Sequence, residues 1–252
     1  MRLAIVGYGR MGREVHAVAA ERGHEIVATV DPKAEAGHRS LETVDLSGTD
    51  CVIEFALPEG VLDNARRYAA AGVPAVVGTT GWEQARQELQ EIVDAAGTGY
   101  LFGSNFSLGA NLLFLLVEQA ARLFDSFDDY DVFVQEAHHN KKKDSPSGTA
   151  ITIGEKLLAG LGRKDRLVTE TLHRAIEPGE IQVSSVRGGA VPGQHRISFD
   201  SLFDTVEITH TARTRRGFAT GAVHAAEWLA PRRGFFTVDD FTDASPWSGF
   251  SP

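Results

Sequence analysis

The chain has 252 residues, a formal net charge of -9 and 42% hydrophobic content, with a pI near 5.5. That length supplies core for one large or two modest domains, and the acidic balance argues against general nucleic-acid binding. The single cysteine, Cys51, excludes an intramolecular disulfide and fits a reducing cytoplasm, no run approaches the roughly 20 apolar residues of a membrane span, and the N-terminus enters a strand pattern with no leader signal.

Leu3 to Val6 is a short apolar run, read as a buried strand. It feeds Gly7-Tyr8-Gly9-Arg10-Met11-Gly12, a G-x-G-x-x-G turn, and a helical pattern follows to Arg22 with Gly23 as its C-cap. Residues 25–30 form a second strand ending at Asp31. Strand, glycine turn, helix, strand and acid in this order are the dinucleotide fingerprint. The glycines let the backbone approach a pyrophosphate, and Asp31 stands where a ribose-binding acid belongs.

Strands and helices keep alternating. Strands are expected at 50–56, 74–77 and 100–102, and helices at 58–71 and 83–95. This predicts a parallel sheet covered on both faces, with ligands beyond the carboxyl ends of its strands. The turns Gly78-Thr79-Thr80-Gly81 and Gly103-Ser104-Asn105-Phe106 fall at such ends.

After a helix over 107–124 the pattern changes. A strand at 130–136 runs into E-A-H-H-N-K-K-K-D-S-P-S-G-T, residues 136–149. This stretch holds His138, His139 and the lysines 141–143, then a helix start. Ser145 reads as its N-cap and Pro146 as its first helical residue, leaving Ser147, Gly148 and Thr149 to offer free amides and two hydroxyls. Free amides at a helix N-terminus attract anions. Cations, amides and a titratable imidazole together suit a small carboxylate substrate that needs a proton. A helix at 147–161 and alternating strands at 180–187, 195–200 and 204–210 predict a second domain built on an antiparallel or mixed sheet. A last helix, 218–229, returns to the first domain, and the tail from Pro246 carries no structural signal. The expected architecture is α/β: a Rossmann-type doubly wound parallel sheet from 1–106 and 217–252, and a smaller α+β domain with a mixed sheet from 107–216.

The motifs match a family. G-Y-G-R-M-G at 7–12, V-V-G-T-T-G at 76–81, S-N-F-S-L-G-A-N at 104–111, the 136–150 string, V-R-G-G-A-V-P-G-Q-H at 186–195 and F-A-T-G-A at 218–222 resemble bacterial 4-hydroxy-tetrahydrodipicolinate reductases, formerly dihydrodipicolinate reductases, of the lysine and diaminopimelate pathway. The resemblance implies His138 and Lys142 as catalytic groups. It implies His139, Lys142, Ser147, Gly148 and Thr149 as binders of a dicarboxylate substrate. Gly7, Tyr8, Gly9, Arg10, Met11, Gly12, Asp31, Gly78, Thr79, Thr80, Gly103, Ser104, Asn105 and Phe106 would hold NADH or NADPH. It further implies a homotetramer assembled through the sheets of the second domain; no metal is expected. A four-residue offset from His138 selects Lys142 among the three lysines, while Lys141 and Lys143 stay open as assistants. Competing readings are another dehydrogenase of amino-acid metabolism, of aspartate or homoserine type, and a non-catalytic NAD-sensing module.

Overall fold

The structure, a computed structural model, describes residues 1–243, so the expectation for the tail from Pro246 lies outside the described residues. In chain order the elements are β1 (Arg2–Val6), α1 (Arg10–Glu21), β2 (Glu25–Val30), β3 (Cys51–Glu54), α2 (Val61–Ala71), β4 (Ala75–Val77), α3 (Arg86–Ala96), β5 (Gly99–Phe102), α4 (Leu108–Phe124), β6 (Asp131–His138), α5 (Gly148–Gly160), β7 (Arg166–Val168), β8 (Glu180–Arg187), β9 (Gln194–Asp200), β10 (Thr205–Thr211), α6 (Arg216–Leu229), β11 (Gly234–Thr237) and α7 (Val238–Asp243). They form two compact units, one of Met1–Leu108 with Arg215 onward, the other of Gly109–Thr214.

The first unit is a six-stranded parallel sheet in the order β11-β5-β4-β3-β1-β2. Alternation along each strand divides its side chains between two faces. Leu3, Ile5, Ile53, Val76 and Leu101 pack with Val15 and Val18 of α1 and Val223 and Leu229 of α6. Ala4, Val6, Val52, Ala75 and Val77 pack with Val61 and Tyr68 of α2 and Leu89 and Val93 of α3. Ile53 has no exposure, and burying such a side chain contributes roughly 1.5–3 kcal/mol. Because all six strands run the same way, the glycine turn, Asp31 and the turns after β3, β4 and β5 gather along one edge.

The second unit is a mixed five-stranded sheet in the order β10-β9-β6-β8-β7. Its central strand, β6, pairs parallel with β8 and antiparallel with β9. The inward face starts apolar, with Val132, Val134, Ile181, Val183, Ile197 and Phe199 packed with Val117 of α4 and Ile153 and Leu157 of α5. Toward the end of β6 that same face turns polar, at Glu136 and His138.

Several expectations need correction. Ser145-Pro146 is a cis peptide and lies before the helix; the N-cap of α5 is Ser147, whose side chain accepts from the Ala150 amide. Strand β6 runs two residues past its expected end, to His138. The sequence reading has no strand at β7 or β11. The expected strand at 50–56 is shorter, because the chain leaves the sheet after Glu54 to open the edge of the first unit. No helix among the described residues is long and apolar enough to cross a membrane.

Candidate active site

The polar end of the second sheet is built on Glu136. Its register partners are Ser185 on β8 and His195 on β9, and His210 on β10 lies opposite His195. Period-2 geometry turns all four side chains to the same face. Glu136 is 2% exposed. Its Oε1 accepts from the Ser147 amide at 2.9 Å, Ser185 Oγ at 2.8 Å and Arg187 Nη2 at 2.6 Å. Its Oε2 lies 3.2 Å from His138 Nδ1 and 3.5 Å from His195 Nε2. Burial works against ionising this carboxylate, but His195, the Ser147 amide, Arg187 and Ser185 outweigh it and hold the group well below the usual carboxylate range.

His138 follows two residues later on the same face and is 8% exposed. Burial pushes its pKa down to about 4; Glu136 opposes that shift, and His195, Lys142 and Arg187 reinforce it. The reference imidazole value near 6.5 therefore does not describe this ring, which is neutral at pH 7. A Cβ on Gly193 would stand 3.0 Å from His138 Nε2, so the bare glycine keeps that nitrogen clear.

The loop after His138 is pinned at both ends. The Gly188 amide donates to His138 O, Asn140 N to Gly189 O, and Lys142 N to His139 O. Lys142 is half-buried, whereas Lys141 and Lys143 are exposed. Its Nζ sits 2.9 Å from Asp144, whose carbonyl accepts from Arg187 at 2.7 Å. Lys142 and Arg187 thus flank one short segment. His139, past the end of the strand, takes no part in the hydrogen bonds of Glu136.

At α5 the expectation for Ser147, that its amide is free, is corrected. Its amide is taken by Glu136, and its hydroxyl caps Ala150 N and lies 3.2 Å from His195 Nε2. The Gly148 and Thr149 amides have no partner among the described residues, which leaves these two for an anion. Glu136, Arg187, His195 and His210 were missed as site residues. The signal was E-x-H in a strand of period 2, but Arg187 and His195 reach Glu136 only through sheet pairing.

Glu136, His138 and His195 also bring three donor atoms within 4.8 Å of one another. A cation there would face the Arg187 guanidinium on the same carboxylate, so the charge favours a hydrogen-bonded network over a metal site.

In the first unit, a Cβ on Gly7 would meet Phe55 O at 2.1 Å and one on Gly12 would meet Gly7 O at 2.1 Å, while one on Gly9 meets nothing within 4 Å. Gly7 and Gly12 therefore permit the turn, and Gly9 opens it. Helix α1 has no side-chain cap and no acid in its first turn, and the amides of residues 9–12 have no partner among the described residues. That cradle fits a pyrophosphate. Asp31 accepts from the amides of Tyr8, Lys33 and Ala34 at 2.9, 2.8 and 2.7 Å. Burial opposes its ionisation, but these bonds and the charge of Arg39 hold it below its ordinary value. Arg39, missed in the sequence, donates to Pro32 O and Ala34 O and braces the Asp31 loop. Gly78, Thr80, Gly103, Ser104 and Asn105 lie on the same edge of the sheet, after β4 and β5. Thr79 and Phe106 lie there too but turn their side chains inward. The Thr79 hydroxyl bonds the Ala56 backbone, and Phe106 packs edge-on against Phe55.

Two family models together cover nearly all of the chain. The family described as "Dihydrodipicolinate reductase, N-terminus" matches residues 1–106, and "Dihydrodipicolinate reductase, C-terminus" matches 109–242. A 4-hydroxy-tetrahydrodipicolinate reductase of Christiangramia forsetii is 38% identical over 240 residues, covering 95% of this chain and 97% of the relative. One of Chromobacterium violaceum is 38% identical over 263 residues, covering 94% and 97%. Among solved structures, a dipicolinate-bound dihydrodipicolinate reductase from Paenisporosarcina sp. TG-14 shares the fold at a TM-score of 0.80 and 23% identity, covering 95% of this chain and 98% of that one. The chain belongs to the dihydrodipicolinate reductase family and is an NAD(P)H-dependent oxidoreductase of lysine and diaminopimelate biosynthesis.

Proposed function

We propose that the two units divide the reduction of a cyclic, unsaturated dicarboxylate between them, residues 1–106 with 217–252 holding the cofactor and 107–216 the substrate. Hydride comes from NADH or NADPH when one is bound. The glycine turn and the start of α1 take the pyrophosphate, Asp31 takes the ribose, and the edge loops 78–80 and 103–106 complete the cradle. In the second unit Lys142 and the Gly148 and Thr149 amides grip the substrate carboxylates, with His139 at the rim. Fixed cations and amides stabilise charge without reorganising.

His138 exchanges the proton. Its ring is neutral in the free protein, held so by burial and by Lys142, Arg187 and His195. A dianion gripped by Lys142 offsets the charges of Lys142 and Arg187 and raises the proton affinity of the ring when the reaction needs it. The observation that carries this reading is the convergence of His138, Arg187 and the start of α5 on the buried Glu136.

We further infer a cytoplasmic enzyme that self-associates through its second unit. Cys51 is buried and unpaired, and Leu202 and Phe203 at the β9–β10 turn are 98% and 84% exposed, an apolar pair that a neighbouring subunit would cover. The catalytic assignment is tested by oxidation of the reduced cofactor with and without the dicarboxylate. His138→Gln should lower turnover about a hundredfold, the scale of losing a proton-transfer group, and leave cofactor affinity unchanged. Near-normal turnover would overturn the assignment.

A further inference from the structure

The two oxygens of Glu136 are held differently, Oε1 by three donors and Oε2 by two imidazoles, of which His138 at 3.2 Å is nearer than His195, at 3.5 Å and itself 3.2 Å from Ser147 Oγ. Three donors fix Oε1: the Ser147 amide, Ser185 Oγ and Arg187. Oε2 and His138 Nδ1 are both buried and neither has a hydrogen-bond partner of good geometry, yet they face each other at 3.2 Å. Two buried polar atoms at that distance are satisfied by one proton between them, and a carboxylate can only accept. The proton therefore belongs on Nδ1. The opposite nitrogen, Nε2, then carries the free lone pair and looks toward Gly193, which offers no side chain to block it.

We infer that Glu136 is a positioning residue: its carboxylate fixes His138 as the Nδ1–H tautomer and aims Nε2 at the substrate side of the site. This rests on the reading that His138 exchanges the reaction's proton. A carboxylate behind an imidazole selects which nitrogen meets the reacting atom and stabilises the cation formed when that nitrogen is protonated. The same carboxylate holds the Ser147 amide and Arg187. One buried charge therefore sets the angle of the imidazole, the start of the helix whose next two amides grip the substrate, and a flanking guanidinium. A purely structural Glu136 would need the Oε1 contacts only.

The test is nitrogen-15 NMR of the histidine rings, which reads each tautomer directly, on the full chain at neutral pH, combined with steady-state kinetics. The wild type should show His138 protonated on Nδ1; an Nε2–H ring there would overturn the inference whatever any variant does. In Glu136→Gln the amide oxygen keeps the three donors, and its NH₂ takes the place of Oε2 and donates to His138. The ring should then switch to Nε2–H and kcat should fall about a hundredfold. Glu136→Asp, which keeps the charge, should restore the Nδ1–H ring and part of kcat. A Glu136→Gln protein with an unchanged tautomer, or with a switched tautomer and wild-type kcat, overturns the inference. If His138→Gln is inactive while Glu136→Gln is fully active, only the role of Glu136 falls. Near-normal turnover in His138→Gln removes the reading beneath it.

Discussion

Acid should unfold the second unit earlier than its carboxylates alone would allow, and His138 sets the amount. In the unfolded chain an imidazole titrates near 6.5, whereas in the fold His138 titrates at about 4, because it is buried and faces His195, Lys142 and Arg187. Between those values the unfolded chain binds a proton that the folded chain refuses. Stability therefore rises with pH across this window and is lost as pH falls through it. The gap of about 2.5 pH units, at 1.36 kcal/mol each, gives about 3 kcal/mol in full, of which about 2 kcal/mol is lost between pH 7.5 and 5. The ring is 9% exposed, so solvent screens little of this. Glu136 acts in the next window down. Its depressed pKa contributes stability above the unfolded value near 4.3 and loses it below. Measurements above pH 5 thus separate the two. Urea unfolding followed by far-UV circular dichroism from pH 7.5 to 5, in wild type and His138→Gln, is the assay. Tryptophan fluorescence would mislead, since none of the three tryptophans falls within Gly109–Thr214. The wild type should lose about 2 kcal/mol more than the variant. Parallel losses would refute the assigned environment of His138, as would an NMR titration of its ring near 6.5.

Other outcomes follow from the same geometry. Pyridine-2,6-dicarboxylate should compete with substrate and pyridine-2-carboxylate should do so at least tenfold more weakly, since a charge-assisted contact contributes about 1.5–3 kcal/mol; equal inhibition constants would contradict a two-point grip. Both cofactors should work, with NADH equal or better, and Asp31→Ala should move the kcat/KM ratio toward NADPH while weakening NADH, because Asp31 holds three loop amides and, in the proposed site, takes the ribose. A wild type favouring NADPH more than about tenfold, a difference of about 1.4 kcal/mol, would assign the dominant role to Arg39, Arg10 or Lys33. Sedimentation should show a tetramer that Leu202→Ser with Phe203→Ser loosens; a stable wild-type monomer at micromolar concentration would reject self-association.

Local pattern determined much of this protein. The apolar runs of β1 and β3, the alternation of β8, the glycine turn with Asp31 in register, and the helix periods of α1, α2 and α6 are short-range signals, and the structure keeps each of these elements. The basic loop was visible for the same reason: its histidines, lysines and helix start lie within fourteen residues, and one of the three lysines, Lys142, is the half-buried one. What the sequence hid was the partner of each group. Glu136 reads as the last residue of an expected strand; sheet register alone sets it between Ser185 and His195, residues 49 and 59 positions away. Arg187 joins the site because β8 runs parallel to β6, a long-range pairing that no local period encodes. The Ser147 amide, expected to be free, is taken instead, because a buried carboxylate accepts from it. The ionisation of His138 was beyond reach for the same reason. A pKa is set by burial and by the groups that folding brings near, and for this ring those groups come from a turn, a neighbouring strand and a second histidine that only the tertiary structure assembles.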